Sequence, residues 1–238
     1  MSTVLITGGS RGIGSAMVRA FYENGYSVAF TYNNSESEAM LLAEECKALA
    51  IKADNSVESE VVSAVRLAMD KLGKIDVLIN NAAISSFSLF TDLSFEEWNK
   101  MFAVNVGGAF LYSREVLRDM IKRKSGKIIN ISSMWGITGA SCEVHYSAAK
   151  SAIIGMTKAL AKEVGPSGIN VNCIAPGVID TEMNKNLSAD DLKLLEEETP
   201  LMRIGKPQEV ASVALFLAGG SGDFITGEVV NVNGGFLI

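Results

Sequence analysis

The chain opens with a short apolar run, Thr3 to Thr7, and passes at once into Gly8-Gly9-Ser10-Arg11-Gly12-Ile13-Gly14. An apolar run without alternation suits a strand buried on both faces. Ser15 to Phe21 then reads as helix, Gly25 is placed to end it, and Ser27 to Tyr32 reads as a second strand. Strand, glycine-rich turn, helix and strand in that order limit the fold more than any other stretch does. The glycines permit positive φ and let the backbone and a helix N-terminus approach an anion closely. This is the context that a dinucleotide-binding βαβ unit requires, and a dinucleotide is expected on the turn.

The remaining elements repeat the pattern. Leu49 to Ala53 is expected as a third strand ending at Asp54-Asn55, and Ser56 as the cap of a helix to about Leu72. Glu58 and Glu60 stand in its first turn, where negative charge is favourable. Ile75 to Ile79 is the fourth strand, followed by Asn80-Asn81-Ala82-Ala83. One long helix is expected from Phe95 to Lys122, with Asn105 unfavourably placed inside it. Lys127 to Ile131 is the fifth strand and leads into Ser132-Ser133-Met134-Trp135-Gly136. A helix from Val144 to Val164 follows, and then a sixth strand, Ile169 to Ala175. Pro176-Gly177-Val178-Ile179-Asp180-Thr181 leaves that strand, and Met183 to Arg203 is a mixed, lid-like segment. Pro207 opens the final helix, and Glu228 to Val232 is the last strand.

Composition narrows the class. With 238 residues, 48% of them hydrophobic and 20% charged, the chain can bury a sizeable core and is expected as one domain, 1–238. A net charge of −6 gives no overall pull toward nucleic acid or an anionic membrane. Cys46, Cys142 and Cys173 lack metal-ligand spacing, so no metal is expected, and the set suits a reducing, cytoplasmic setting. No apolar stretch is long enough to span a bilayer.

The candidate chemistry lies in His145-Tyr146-Ser147-Ala148-Ala149-Lys150. On a helix, Tyr146 and Lys150 fall on one face, one turn apart. A free tyrosine, with a pKa near ~10, is a poor acid at neutral pH. A neighbouring cation lowers that pKa, which makes Tyr146 a candidate proton donor and Lys150 its tuner. Ser133 leaves a parallel strand at its carboxyl end, where doubly wound sheets place ligands.

The spacing Gly8, Gly12, Gly14 behind Thr7, with Ser133 and Tyr146-x-x-x-Lys150, resembles the short-chain dehydrogenase/reductase family along the whole chain. The resemblance implies a Rossmann-type, doubly wound α/β sheet of about seven mostly parallel strands with helices on both faces. It implies catalytic Asn105, Ser133, Tyr146 and Lys150, with Asn105 holding a water that connects to the lysine. It implies cofactor contacts from Gly8, Ser10, Arg11, Gly12, Ile13, Gly14, Asn33, Asp54, Asn55, Asn81, Ala82, Tyr146, Lys150, Pro176, Gly177, Val178 and Thr181. Asp54 is expected near the adenine amino group, and Thr181 near the nicotinamide amide. Ala83 departs from the glycine usual in the family. No carboxylate stands at the tip of the second strand before Glu36, and Arg11 can pair with a 2′-phosphate, so NADP (NADPH) is the expected cofactor. His145 is expected as a bystander or pocket-edge residue.

Tyr-Ser-Ala-Ala-Lys, with Ile169 to Gly177, most resembles the β-ketoacyl-(acyl-carrier-protein) reductases. That implies an NADPH-dependent reductase of fatty acid synthesis whose ketone substrate is a small molecule or is bound to an acidic acyl carrier protein. Arg118, Lys122, Arg123, Lys124 and Lys127 are the basic cluster expected near the entrance; Ser167 stands where some such reductases carry a basic residue. Dehydrogenases of steroids, sugars and small alcohols share the same motifs, and a non-catalytic NADP-binding regulator is the alternative from another class. A homotetramer is expected from the resemblance, from the apolar positions around Val144–Val164, and from the apolar tail Phe236-Leu237-Ile238.

Overall fold

In the computed structural model, residues 1–184 and 188–237 are described, so Ile238 and part of the lid-like segment lie outside the described residues. The strands are β1 (Thr3–Ile6), β2 (Ser27–Tyr32), β3 (Leu49–Lys52), β4 (Val77–Asn80), β5 (Gly126–Ile131), β6 (Ile169–Pro176) and β7 (Val229–Val232). They form one sheet in the order β3-β2-β1-β4-β5-β6-β7. Every adjacent pair is parallel, so the expected sheet is present and wholly parallel among the described residues. The direction of winding reverses between β1 and β4, which opens a crevice at their carboxyl ends.

The helices are α1 (Gly12–Glu23), α2 (Glu36–Glu45), α3 (Glu58–Leu72), α4 (Phe95–Phe102), α5 (Gly108–Arg123), α6 (Trp135–Thr138), α7 (Val144–Val164), α8 (Ala189–Glu198) and α9 (Pro207–Ala218). Alternate residues of a strand face opposite sides of the sheet. Val4 and Ile6 accordingly pack with Phe21 of α1 and Val210 of α9. Leu5, between them, packs on the other side with Val61 of α3, Val116 of α5 and Ala161 of α7. Two apolar faces leave no polar position to alternate with, which is why these strands are continuous hydrophobic runs.

Several local expectations are corrected. Val57, not Ser56, precedes α3, because the Ser56 hydroxyl and amide both donate to Asp54 Oδ1, at 2.6 and 2.8 Å. The long helix from Phe95 is broken into α4 and α5 by a π-helical segment, Ala103–Gly107. The helix α2 was not foreseen, since its ten residues carry only two buried positions, Ala39 and Leu42. The tail docks on its own subunit. The Phe236 ring meets Trp135 edge-on at 5.7 Å, and Leu201 N donates to Gly234 O.

The basic cluster is corrected as well. Arg123 and Lys127 sit at the end of α5 and the start of β5, at the opposite end of that strand from Ser133. Six residues of strand span roughly 20 Å. Arg123 is spent on Asp119 and Asp76, Lys127 on Asp223, and Arg118 on Glu115. Within one subunit, the cluster does not flank the entrance.

Candidate active site

The glycine turn is built against β4. Gly8 has φ +64°, and a Cβ there would lie 2.8 Å from Ala82 Cα. A Cβ on Gly14 would collide with the Gly8 carbonyl and stand 2.8 Å from Asn81 Nδ2. Thr7 Oγ1 accepts from the amides of Asn81 and Ala82, and Asn81 Nδ2 donates to the carbonyls of Thr7 and Gly8, all at 3.0 Å. The side chain of Asn81 therefore builds the cradle. Ala83 is not among the residues with positive φ, so its methyl brings no left-handed strain.

Helix α1 begins at Gly12 with no side chain capping its first turn and no acidic residue in it. Its first amides meet the crevice with their partial positive charge available to an anion. Ser10, Ile13, Asn81, Ala82 and Thr181 are half-buried around this start, and Arg11 is exposed. The tip of β2 and the end of β3 meet through Asn33 Nδ2, which donates to Asp54 Oδ2 at 3.0 Å. Donors from Ser56 first, and then Asn33, hold the Asp54 carboxyl below the usual aspartate range. Asn55 is buried against Gly108, where a Cβ would lie 2.8 Å from its own Cβ. On the far side, Pro176 O accepts from Met134, Gly177 N donates to Val232 O, and Val178 O accepts from Gly205. A cradle closed to any Cβ, an uncapped helix start and a nearby arginine fit a phosphorylated dinucleotide.

Ser133, Tyr146 and Lys150 converge at the carboxyl end of β5. They are 8%, 7% and 3% exposed. Ser132 Oγ donates to Lys150 O at 2.8 Å and Ser151 Oγ to Gly136 O at 2.6 Å, which ties α7 to the turn after β5. Lys150 Nζ donates to Ile131 O at 2.9 Å. Burial lowers the Lys150 pKa to about 8. Burial raises that of Tyr146 to about 12; Ser133, as a hydrogen-bond partner, pulls it down, and the Glu143 carboxylate pushes it further up. The lowered tyrosine pKa expected from the sequence is thus corrected, since loss of solvent outweighs the Ser133 hydrogen bond that pulls it down.

Asn105 lies in the π-helical segment, 3% exposed. Its Oδ1 accepts from Ile84 N at 2.8 Å, and its Nδ2 donates to Ile84 O at 2.9 Å. Both ends of the amide hold the loop after β4.

A family model described as enoyl-(acyl carrier protein) reductase matches residues 8–237. The 3-oxoacyl-[acyl-carrier-protein] reductase FabG of Chlamydia muridarum is 42% identical over 236 residues, which cover 97% of this chain and 95% of that one. FabG of Aquifex aeolicus is 40% identical over 237 residues, with the same two coverages. A solved short-chain dehydrogenase/reductase from Serratia marcescens superposes with a TM-score of 0.92 at 35% identity, over 99% of this chain and 97% of that one. The chain belongs to the short-chain dehydrogenase/reductase family. A blue fluorescent protein from a metagenomic library, solved in complex with NADPH, gives a TM-score of 0.93 at 34% identity, over 100% of this chain and 98% of the other.

Several residues of this family member escaped the sequence reading. His145, expected as a bystander or pocket-edge residue, is fully buried, and its Nε2 lies 2.7 Å from Ser86 Oγ. Burial lowers its pKa, and the ring serves as a hydrogen-bonding strut. With the bond from Ser88 N to Cys142 O, it fastens the loop after β4 to the start of α7. Around the same turn, Met134 is buried, Phe87 and Met183 are exposed, and Trp135 is half-buried under Phe236. Glu182 was missed because its partner, Arg11, is 171 positions away; their side chains meet at 3.1 Å.

Proposed function

We propose that this chain is an NADPH-dependent reductase that converts a 3-oxoacyl group on an acyl carrier protein to the 3-hydroxyacyl group. The observation that carries the reading is the joint burial of Ser133, Tyr146 and Lys150 at the end of β5, in a chain 42% identical to a 3-oxoacyl-[acyl-carrier-protein] reductase over nearly its whole length.

Gly8, Ser10, Gly12, Ile13 and Gly14 would hold the pyrophosphate and Arg11 the 2′-phosphate, with Asn33, Asp54 and Asn55 around the adenosine. Asn81 and Ala82 would support the ribose, Tyr146 and Lys150 would bind it, and Pro176, Gly177, Val178 and Thr181 would meet the nicotinamide amide. Bound NADPH supplies a hydride to the carbonyl carbon. As charge grows on the carbonyl oxygen, Ser133 and Tyr146 donate hydrogen bonds to it, and Tyr146 gives up its proton. Lys150 then faces the phenolate with its positive charge. Asn105 holds the loop after β4 in place.

The same reading treats 1–238 as one domain, supported by a sheet whose strands run from Thr3 to Val232. It also makes the chain a homotetramer. Phe95, Phe110 and Ile121, 78%, 50% and 45% exposed along α4 and α5, support that assembly; light scattering of an active monomer would count against it.

The test of function is NADPH consumption with 3-oxoacyl thioesters of a carrier protein beside steroids, sugars and diketones. The thioesters are expected to be reduced fastest. Turnover confined to the other ketones would overturn the substrate, and no turnover with any of them would overturn the enzyme.

A further inference from the structure

Arg11 and Glu182 come from opposite ends of the chain, one in the glycine turn and the other in a short 3-10 turn, Glu182–Asn184, after β6. Arg11 Nη1 lies 3.1 Å from Glu182 Oε2. Both side chains keep much of their exposure, 61% and 49%, so the pair is open to competition from a ligand. The residue before Glu182 is as close to the turn. A Cβ on Gly12 would stand 3.4 Å from Thr181 Cγ2. The Thr181–Glu182 step therefore lies directly over the helix start where a pyrophosphate would sit.

We infer that Glu182 is a specificity-determining residue: it competes with the cofactor's 2′-phosphate for Arg11, and the phosphate must take the arginine over. The inference rests on Arg11 as the 2′-phosphate ligand, as proposed above. Glu182 holds Arg11 through Nη1, and a phosphate that takes the guanidinium in a two-pronged grip competes with the carboxylate for that nitrogen and for its charge. NADH carries no 2′-phosphate and leaves the Arg11–Glu182 pair in place. NADPH breaks it, and the phosphate takes the guanidinium in place of the carboxylate. Glu182 thus restrains NADPH affinity without touching NADH.

The experiment is a titration of wild type, Glu182→Gln, Glu182→Asp and Arg11→Ala with NADPH and NADH, read by cofactor fluorescence. An exposed ion pair contributes little, so Glu182→Gln is expected to tighten NADPH by only about two- to fivefold. NADH should be unchanged, and Glu182→Asp, which keeps the charge, should stay near wild type. In Arg11→Ala, adding Glu182→Gln should bring no further gain. An unchanged or weakened NADPH affinity in Glu182→Gln would overturn the inference, as would equal tightening of NADH. If Arg11→Ala instead weakens both dinucleotides equally, the assignment of Arg11 itself fails, and the competition fails with it.

Discussion

Lys150 holds its ammonium 5.6 Å from the centre of the Tyr146 ring while donating to the backbone oxygen of Ile131. The two groups are shifted in opposite directions by the same burial. Tyr146, raised to about 12, keeps its proton throughout the neutral range. Lys150, lowered to about 8, is the group of the pair that titrates there. Its charged fraction falls as pH rises through that value. The alkaline loss of reductase activity should therefore begin near pH 8, while Tyr146 is still protonated. A pH profile of kcat/KM checks this. Lys150→Met should abolish that limb along with most of the activity, and a limb that persists in the variant would assign it elsewhere.

Tyr146→Phe preserves the ring in its buried place and removes the proton. Turnover should fall by roughly 10²-fold or more, as for a lost general acid. Because the cradle built from Thr7, Gly8 and Asn81 is untouched, NADPH binding should lose no more than the one ribose contact of the hydroxyl. Near-normal turnover with the best substrate would remove Tyr146 from the proton path.

Gly14→Ala tests the cradle. The added methyl would collide with the Gly8 carbonyl and crowd Asn81. NADPH binding should weaken about tenfold or more, the effect of about 1.4 kcal/mol. Gly25→Ala is the control. Gly25, at φ +78°, has open space around a Cβ, so it should lose some stability to backbone strain but keep its cofactor affinity. Equal loss of affinity in both variants would point to general destabilisation.

The strands were legible because a parallel sheet covered on both faces writes itself as apolar runs, and Leu5 between Val4 and Ile6 shows why. Ser133, Tyr146 and Lys150 were legible because strand end and helix turn fix where they meet. Contacts that depend on distant partners were not. Nothing local in Ser56 tells whether it caps α3 or turns back to Asp54. His145 reads as one ring beside a tyrosine until Ser86 is seen 2.7 Å away. The charge of Arg123 reads as a free surface until Asp76 and Asp119 are placed against it.

Asn105 gives the most specific prediction about architecture. A carboxamide offers an accepting oxygen and two donor hydrogens: Ile84 N donates to the oxygen, and Nδ2 donates to Ile84 O and to Met101 Sδ. The π-helical segment turns that amide inward, so the irregular helix and the loop after β4 hold each other in place. Asn105→Ala would leave the half-buried Ile84 amide and carbonyl without these partners, at a cost of about 1 kcal/mol for each bond lost. Asn105→Asp keeps the acceptor for Ile84 N but turns a second acceptor toward Ile84 O, so it should rescue little. For a chain of this size, each 1 kcal/mol lowers Tm by about 2–4 °C. Both variants should melt several degrees early, and amide exchange at Ile84 should quicken before global unfolding. Wild-type exchange at Ile84 in Asn105→Ala would show that the loop is held by other contacts and that Asn105 matters only for chemistry.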